Sequence, residues 1–213
     1  MSSLVEKLHP ALSPGQQLVL DQSRQPVFSR QGHWDAGSAL HCAAMALAML
    51  GKLPDPVEVR DYDAGPMAHF WDRAYPHYLH GLVPSEMASF IWELNLGILP
   101  VQAQSPHSDL MRFCCSELST GWPVIARIAN PANSASHAAL VVGVEERDET
   151  LTALLVLDPN CGTPKLSAWN ARLEFGMPDT LYVTAETIAI PVLLDGAVSL
   201  RLANAGTTSD DCA

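Results

Sequence analysis

Two segments of the sequence hold residue types that are suited to acyl-transfer chemistry. In the first, Gln31-Gly-His-Trp-Asp-Ala-Gly-Ser runs directly into an apolar stretch over residues 39–50. A nucleophile at the start of such a helix is activated by the positive end of the helix dipole. In the second, His137 opens a valine-rich run and Asp158 ends the next apolar run. A histidine base with an orienting carboxylate is what such a nucleophile needs, so these positions form a candidate catalytic centre.

The expected strands bring the histidine and the carboxylate together. His137 begins one strand, Asp158 follows the next, and a turn near residues 147–150 joins the two as antiparallel neighbours. We therefore expect residues 137 and 158 to lie side by side. The side-chain amide of Gln31 and the backbone N–H of residue 36 are the candidate donors to the oxyanion of a tetrahedral intermediate.

Four motifs, in this order, resemble those of the papain-like cysteine peptidases, and most of all the bacteriocin-leader peptidases. They are Gln31-Gly-His-Trp-Asp-Ala-Gly-Ser, Gly121-Trp-Pro-Val-Ile, His137-Ala-Ala-Leu-Val-Val-Gly-Val and Asp158-Pro-Asn-Cys-Gly. The resemblance implies a papain-like fold and hydrolysis of a peptide bond without a metal or organic cofactor. It makes position 36 the nucleophile, His137 the base, Asp158 its orienting group and Gln31 the oxyanion-hole residue. A peptide or small-protein substrate, cut after Gly-Gly as in that family, is the corresponding expectation.

The chain departs from this pattern at residue 36, which is alanine where the chemistry needs a cysteine. A methyl group cannot attack a carbonyl, so the chain as written is expected to be inactive. Two explanations stay open: a Cys→Ala substitution that disables an enzyme, or a natural pseudopeptidase that binds a peptide without cutting it. Retention of the other site residues favours the substitution. A papain-like transferase or deamidase would use the same triad and is a further alternative.

Residues next to the nucleophile position supply the candidate substrate contacts, which are His33, Trp34 and Gly37. His33 and Trp34 are equally compatible with packing at the start of the helix. Two cysteines lie near enough in sequence to be considered as nucleophiles. We interpret Cys42 as a core residue of the apolar helix and Cys161 as an incidental thiol in a turn.

Length and composition limit the function classes. The 213 residues suit one domain, which we assign to residues 1–205, with a tail at 206–213 that is expected to be disordered. The net charge of −11 argues against nucleic acid or an anionic membrane as a partner. No membrane-spanning stretch, secretion signal or metal-ligand spacing is evident, and the five cysteines are irregularly spaced. A cytoplasmic protein with reduced thiols is therefore expected, and nothing in the sequence indicates its oligomeric state.

Hydrophobic periodicity predicts helices first and an antiparallel sheet after them. The predicted helices cover residues 36–50, 66–74, 84–95 and 108–119, and the predicted strands cover residues 17–20, 98–102, 123–129, 137–145, 151–157, 180–184 and 188–194. The first helix is apolar on nearly all sides, which indicates burial all round, with Asp35 as its N-cap and Gly51 at its end. The expected fold is α+β and papain-like: a central buried helix packed on an antiparallel sheet, with the cleft between them. The aromatic-rich loop 61–82 is a candidate wall of that cleft.

Overall fold

The computed structural model describes residues 3–32, 36–56, 65–104, 106–133, 135–176, 179–186 and 189–203. The helices are α1 (Ser38–Met49), α2 (Pro66–Ala74), α3 (Pro84–Glu93) and α4 (His107–Ser119), and a short 3-10 helix covers Tyr75–His77. The strands are β1 (Leu4–Leu8), β2 (Leu12–Ser13), β3 (Val19–Leu20), β4 (Ile98–Ala103), β5 (Val124–Ala129), β6 (Ser136–Arg147), β7 (Thr150–Leu157), β8 (Ala171–Phe175), β9 (Thr180–Thr184) and β10 (Ile190–Leu202). No helix within these described ranges combines the length and apolar character that a bilayer crossing needs.

Six of the strands close into an antiparallel barrel. Going round the ring, β5 pairs with β6, β6 with β7, β7 with β8, β8 with β9 and β9 with β10, and β10 returns to β5. Two strands extend this sheet outside the ring, β1 beside β6 and β4 beside β10, and β2 pairs with β3 in a separate two-stranded sheet. Buried apolar residues from all six strands meet in one cluster, which Leu110, Cys114 and Leu118 of α4 join. Side chains therefore fill the barrel interior.

The expected papain-like arrangement, a central buried helix packed on an antiparallel sheet, is wrong, because the sheet closes into a six-stranded barrel. Bulges between Val141 and Gly143 in β6, and between Leu194 and Gly196 in β10, allow the two long strands to bend. A Cβ on Gly143 would approach β1 to 2.9 Å, so the bulge needs a residue without a side chain. α1 packs against β5 and β6 on the outside of this barrel. Alternating apolar residues are the same in open and closed sheets, which is why the pattern did not distinguish them.

α1 is buried along its whole length, as its sequence predicts. It also ends as predicted: Gly51 has φ 70°, and the N–H of Lys52 donates to the carbonyl of Leu47 at 2.8 Å. Its start differs from the prediction, because the first helical residue is Ser38 and the N-cap is Gly37. The predicted N-cap, Asp35, lies outside the described residues.

The other predicted elements are mostly present, with shifted ends. The predicted helix at 66–74 has its predicted bounds, and those at 84–95 and 108–119 correspond to α3 and α4. Strands β1, β2 and β8 were not predicted, and the strand predicted at 188–194 is β10, which continues to Leu202. The predicted tail at 206–213 lies outside the described residues.

Candidate active site

Ala36 lies two residues before the first residue of α1, and Gly37 separates it from the helix. The expectation that residue 36 is helical is therefore wrong by two residues, but the position is still at the positive end of a buried helix. The start of α1 is tied to the barrel, because Ser38 Oγ accepts a hydrogen bond from the backbone N–H of Ala138 at 3.1 Å. This bond holds exposed residue 36 near the beginning of β6.

His137 and Asp158 meet at one end of the β6–β7 pair. Leu140 is opposite Leu157 in this antiparallel pair, so the start of β6 and the residue after β7 lie at the same end. His137 Nε2 is 2.7 Å from Asp158 Oδ2, with the histidine side chain 29% exposed and the aspartate side chain 0% exposed. A carboxylate only accepts hydrogen bonds, so Nε2 carries the proton and Nδ1 is the acceptor when the ring is neutral.

Asp158 is held by donors on every side. The hydroxyl of Tyr182 donates to Oδ2 at 2.5 Å, and the N–H of Asn160 donates to Oδ1 at 2.8 Å. The Asn170 side chain accepts from the Asp158 N–H at 2.7 Å and donates to its carbonyl at 2.9 Å. Burial alone would raise the pKa of Asp158, but the hydrogen bond and charge of His137, with the donors Tyr182 and Asn160, outweigh it and lower that pKa. The carboxylate is therefore ionised at neutral pH and stabilises a protonated His137.

A cavity of about 350 Å³ opens beside this pair. Three of the four candidate catalytic residues line it together, namely Gln31, Ala36 and His137. The backbone N–H of Gln31 donates to the carbonyl of Pro159 at 3.0 Å, which keeps residue 31 next to the turn after Asp158. Other residues from α1, α3 and five strand or loop segments complete the walls, and the buried apolar ones are Ala39, Pro84, Met87, Ile125, Ala138 and Val198.

Segment 78–84 forms the wall next to residue 36. His80, Gly81, Leu82, Val83 and Pro84 line the cavity, so the loop predicted as a cleft wall contributes through its C-terminal end. The N–H of Ala36 donates to the carbonyl of Tyr78 at 2.9 Å. A Cβ on Gly81 would lie 3.0 Å from the carbonyl oxygen of Ala36. One of the two expected oxyanion donors, the residue 36 N–H, is thus already hydrogen-bonded in this structure.

Of the three candidate substrate contacts, only Gly37 belongs to the described residues, and it does not line this cavity. Gly37 is buried, its carbonyl accepts the His41 N–H at 3.0 Å, and it is not among the described residues that line the cavity. His33 and Trp34 lie outside the described residues. Sequence reasoning missed Tyr182 and Asn170, because neither belongs to a motif and both reach Asp158 from other parts of the barrel wall.

Cys42 and Cys161 are thiols whose surroundings raise their pKa values. Burial raises the pKa of Cys161 to about 11, with the charge of Asp158 adding to the shift, and burial raises the pKa of Cys42 well above its usual range. Both groups are thiols at neutral pH, so neither is tuned for attack. Within the part of the chain that the structure describes, no group of three or more His, Cys, Asp and Glu side chains is arranged to hold a metal ion.

Comparisons with known proteins say little about this chain, so the geometry of the site carries most of the functional information. No protein-family model matches the chain, and no curated protein matches it. Among solved structures, the chain is similar to UfSP from C. elegans, with a TM-score of 0.42 and 13% identity over 92% of this chain. The chain spans 36% of the length of that protein. A likeness this weak carries no argument, and the narrower resemblance to bacteriocin-leader peptidases stays a prediction.

Proposed function

We propose that this chain carries the active-site framework of a cysteine peptidase, with residue 36 at the nucleophile position. The observation that supports this most is the His137–Asp158 pair, 2.7 Å apart, at a cavity that Ala36 and Gln31 also line. The four positions supply a base, its orienting carboxylate, a nucleophile position and an amide donor. A partly exposed histidine, its buried carboxylate partner and a helix start therefore lie together beside one cavity.

With a cysteine at residue 36, the reaction has two acyl-transfer steps. His137 Nδ1 takes the thiol proton, and the thiolate attacks the peptide carbonyl carbon. The tetrahedral intermediate collapses to a thioester as the imidazolium returns that proton to the leaving amine. A water molecule, deprotonated by His137, then hydrolyses the thioester to a carboxylic acid and restores the thiol. Asp158 keeps its charge and stabilises the imidazolium throughout.

The oxyanion in these steps needs two donors. The side-chain amide of Gln31 is the first, and the N–H of residue 36 is the second. Because that N–H donates to the Tyr78 carbonyl at 2.9 Å, segment 78–84 has to withdraw by about one hydrogen-bond length before the second donor is available. Substrate binding in the cavity is the proposed trigger.

The proposed substrate is a peptide or a small protein. Cleavage after small residues such as Gly-Gly is part of the proposal and rests on the resemblance to the bacteriocin-leader peptidases. A net charge of −11 favours a cationic substrate segment and disfavours nucleic acid. The alanine chain would bind such a segment and leave it intact.

A second candidate function is a peptide-binding module that never cuts. Two observations favour it: residue 36 is alanine, and its N–H is engaged by the Tyr78 carbonyl. In that case the cavity is a recognition site, and His137 and Asp158 contribute hydrogen bonds only.

Thiol reactivity separates the two candidates. In the Ala36→Cys variant, we would measure alkylation by an electrophile at mildly acidic pH, with each cysteine followed by mass spectrometry. A peptidase site predicts that the residue 36 thiol reacts about 10²-fold faster than it does in the Ala36→Cys/His137→Ala variant, since a positioned base contributes about that factor or more. Cys161 in the same molecule is the internal control for an untuned thiol.

Labelling at residue 36 that is no faster than at Cys161, and unchanged by His137→Ala, would contradict the peptidase. The binding module would then be the better interpretation. It is tested on the alanine chain by titration with peptides of different net charge, where saturable binding that depends on Arg127 or His137 at the cavity is expected.

A further inference from the structure

Tyr182 is a buried residue of the site that the mechanism above does not use. It lies on β9 with its side chain in the barrel interior and is 7% exposed. Its hydroxyl is 2.5 Å from Asp158 Oδ2, the same oxygen that His137 Nε2 contacts at 2.7 Å. Its ring stands edge-on to the His137 ring, with 5.6 Å between centroids and 80° between planes. One residue therefore contacts both members of the pair.

The direction of each hydrogen bond follows from the donors that are present. The carboxylate oxygen can only accept, so the Tyr182 hydroxyl and His137 Nε2 both donate to Oδ2. Cys161 Sγ is 3.2 Å from the Tyr182 oxygen, and burial raises the pKa of that cysteine to about 11, so its S–H donates to the hydroxyl. With the Asn160 N–H on Oδ1, this network leaves the carboxylate a single orientation.

We propose that Tyr182 is a positioning residue, which fixes the Asp158 carboxylate and the His137 ring so that Nε2 faces Asp158 and Nδ1 is directed to the cavity. This inference rests on the proposed function, because an oriented Nδ1 matters only to a base. Without the hydroxyl, the Asn160 N–H alone would orient the carboxylate, and Oδ2 would shift relative to the ring, which weakens the hydrogen bond that fixes the ring direction and the tautomer. The competing explanation is that Tyr182 only fills the barrel interior.

Tyr182→Phe separates the two explanations, because phenylalanine keeps the ring and removes the hydroxyl. The matched control is Thr180→Val on the same strand, which removes a buried hydroxyl that contacts His107 Nε2 at 2.8 Å, away from the site. The first readout uses the alanine chain itself: nitrogen NMR of the imidazole shows which nitrogen of neutral His137 carries the proton. The Nε2–H tautomer is expected in the parent and in Thr180→Val, and a mixture of tautomers is expected in Tyr182→Phe.

The second readout is kinetic, in the Ala36→Cys background. Tyr182→Phe should slow alkylation of the residue 36 thiol about tenfold, a part of what a positioned base contributes, and should remove its advantage at mildly acidic pH. Thr180→Val should leave both unchanged. Circular dichroism spectra that match the parent are required of both variants.

The two proposals fail in different ways. If alkylation depends on His137 but neither readout changes in Tyr182→Phe, the function stands and the positioning role is wrong. If the tautomer changes in Tyr182→Phe while alkylation never depended on His137, the hydroxyl holds the ring and the peptidase is wrong. An Nδ1–H tautomer in the parent chain would overturn the positioning role even if Tyr182→Phe does not fold.

Discussion

Asp158 and Glu117 are two buried carboxylates with similar surroundings and different consequences. Asp158 is 0% exposed and accepts from a hydroxyl and from His137; Glu117 is 6% exposed and accepts from Ser199 Oγ at 2.7 Å and from Arg201 Nε at 2.8 Å. Burial alone would raise the pKa of each, and these donors outweigh it, so both pKa values are lowered. Depth, hydrogen bonds and pKa direction therefore do not distinguish a site from a structural ion pair.

The partner of each carboxylate makes the difference. Arg201 keeps its charge at any ordinary pH, and its ion pair with Glu117 links β10 to α4. His137 is an imidazole that can both donate and accept a proton, and its second ring nitrogen lies beside a cavity. A buried carboxylate is thus a candidate catalytic group when its partner can exchange a proton with a nucleophile or a substrate in a cavity.

The largest expected effect separates these two carboxylates by function. In the Ala36→Cys background, Asp158→Asn should slow residue 36 alkylation about 10²-fold, because an amide neither stabilises the imidazolium nor fixes the tautomer. Glu117→Gln should leave that rate within about twofold while lowering the free energy of unfolding by about 1–3 kcal/mol, since a buried charged hydrogen bond is lost. Alkylation kinetics and urea unfolding of both variants measure this. Equal slowing in the two variants would mean that the rate reports general loosening of the barrel.

The sequence was sufficient to find the polar residues that mark the ends of apolar runs. His137 precedes β6 residues that face the core, and Asp158 follows β7. The predicted turn between them is present, with φ of 49° at Asp148 and 63° at Glu149, as a two-residue hairpin turn requires. Local signals of this kind fixed the register that brings residues 137 and 158 into contact.

Contacts that depend on barrel closure could not be predicted in this way. Tyr182 reads as an ordinary strand residue, and it reaches Asp158 because β8 and β9 continue the ring beyond β7. Likewise, Asp195-Gly196 interrupts the apolar pattern of β10, so the strand after the bulge was missed. The Tyr78–Ala36 hydrogen bond joins backbone atoms, so it depends on no particular side chain and the sequence does not indicate it.

Mild acidification should lower the stability of the fold through two histidines rather than through the carboxylates of Asp158 and Glu117. Burial lowers the pKa of His9 and of His107 below 6.5, and each Nδ1 accepts a backbone N–H. As pH falls through 6.5, the unfolded chain binds protons that the folded chain does not, so stability decreases. The lowered pKa values of Asp158 and Glu117 contribute stability above their unfolded values of 3.8 and 4.5, and this is lost only at lower pH.

Urea unfolding at about pH 7 and about pH 5 measures the histidine contribution. We expect the parent to be less stable at the lower pH. His107→Gln should be less stable than the parent at neutral pH but lose less on acidification, whereas the exposed His69→Gln should behave as the parent does. If the parent is equally stable at both pH values, His9 and His107 bind protons in the folded state as readily as in the unfolded state.

The smallest expected effect compares two glycines with the same φ angle, one at the cavity and one at the end of α1. Gly81 and Gly51 both have φ 70°, but an added Cβ at Gly51 meets nothing within 4 Å, whereas at Gly81 it lies 3.0 Å from the Ala36 carbonyl oxygen. Gly51→Ala should therefore lower the free energy of unfolding by about 1 kcal/mol, through backbone strain alone. Gly81→Ala should lower the free energy of unfolding by about 1 kcal/mol more than Gly51→Ala does, because the added methyl pushes residue 36 away from segment 78–84. It should also shift the amide resonance of Ala36 in NMR spectra. Equal costs with an unchanged Ala36 amide would mean that this segment yields freely, and that the Tyr78 carbonyl does not restrain the N–H at residue 36.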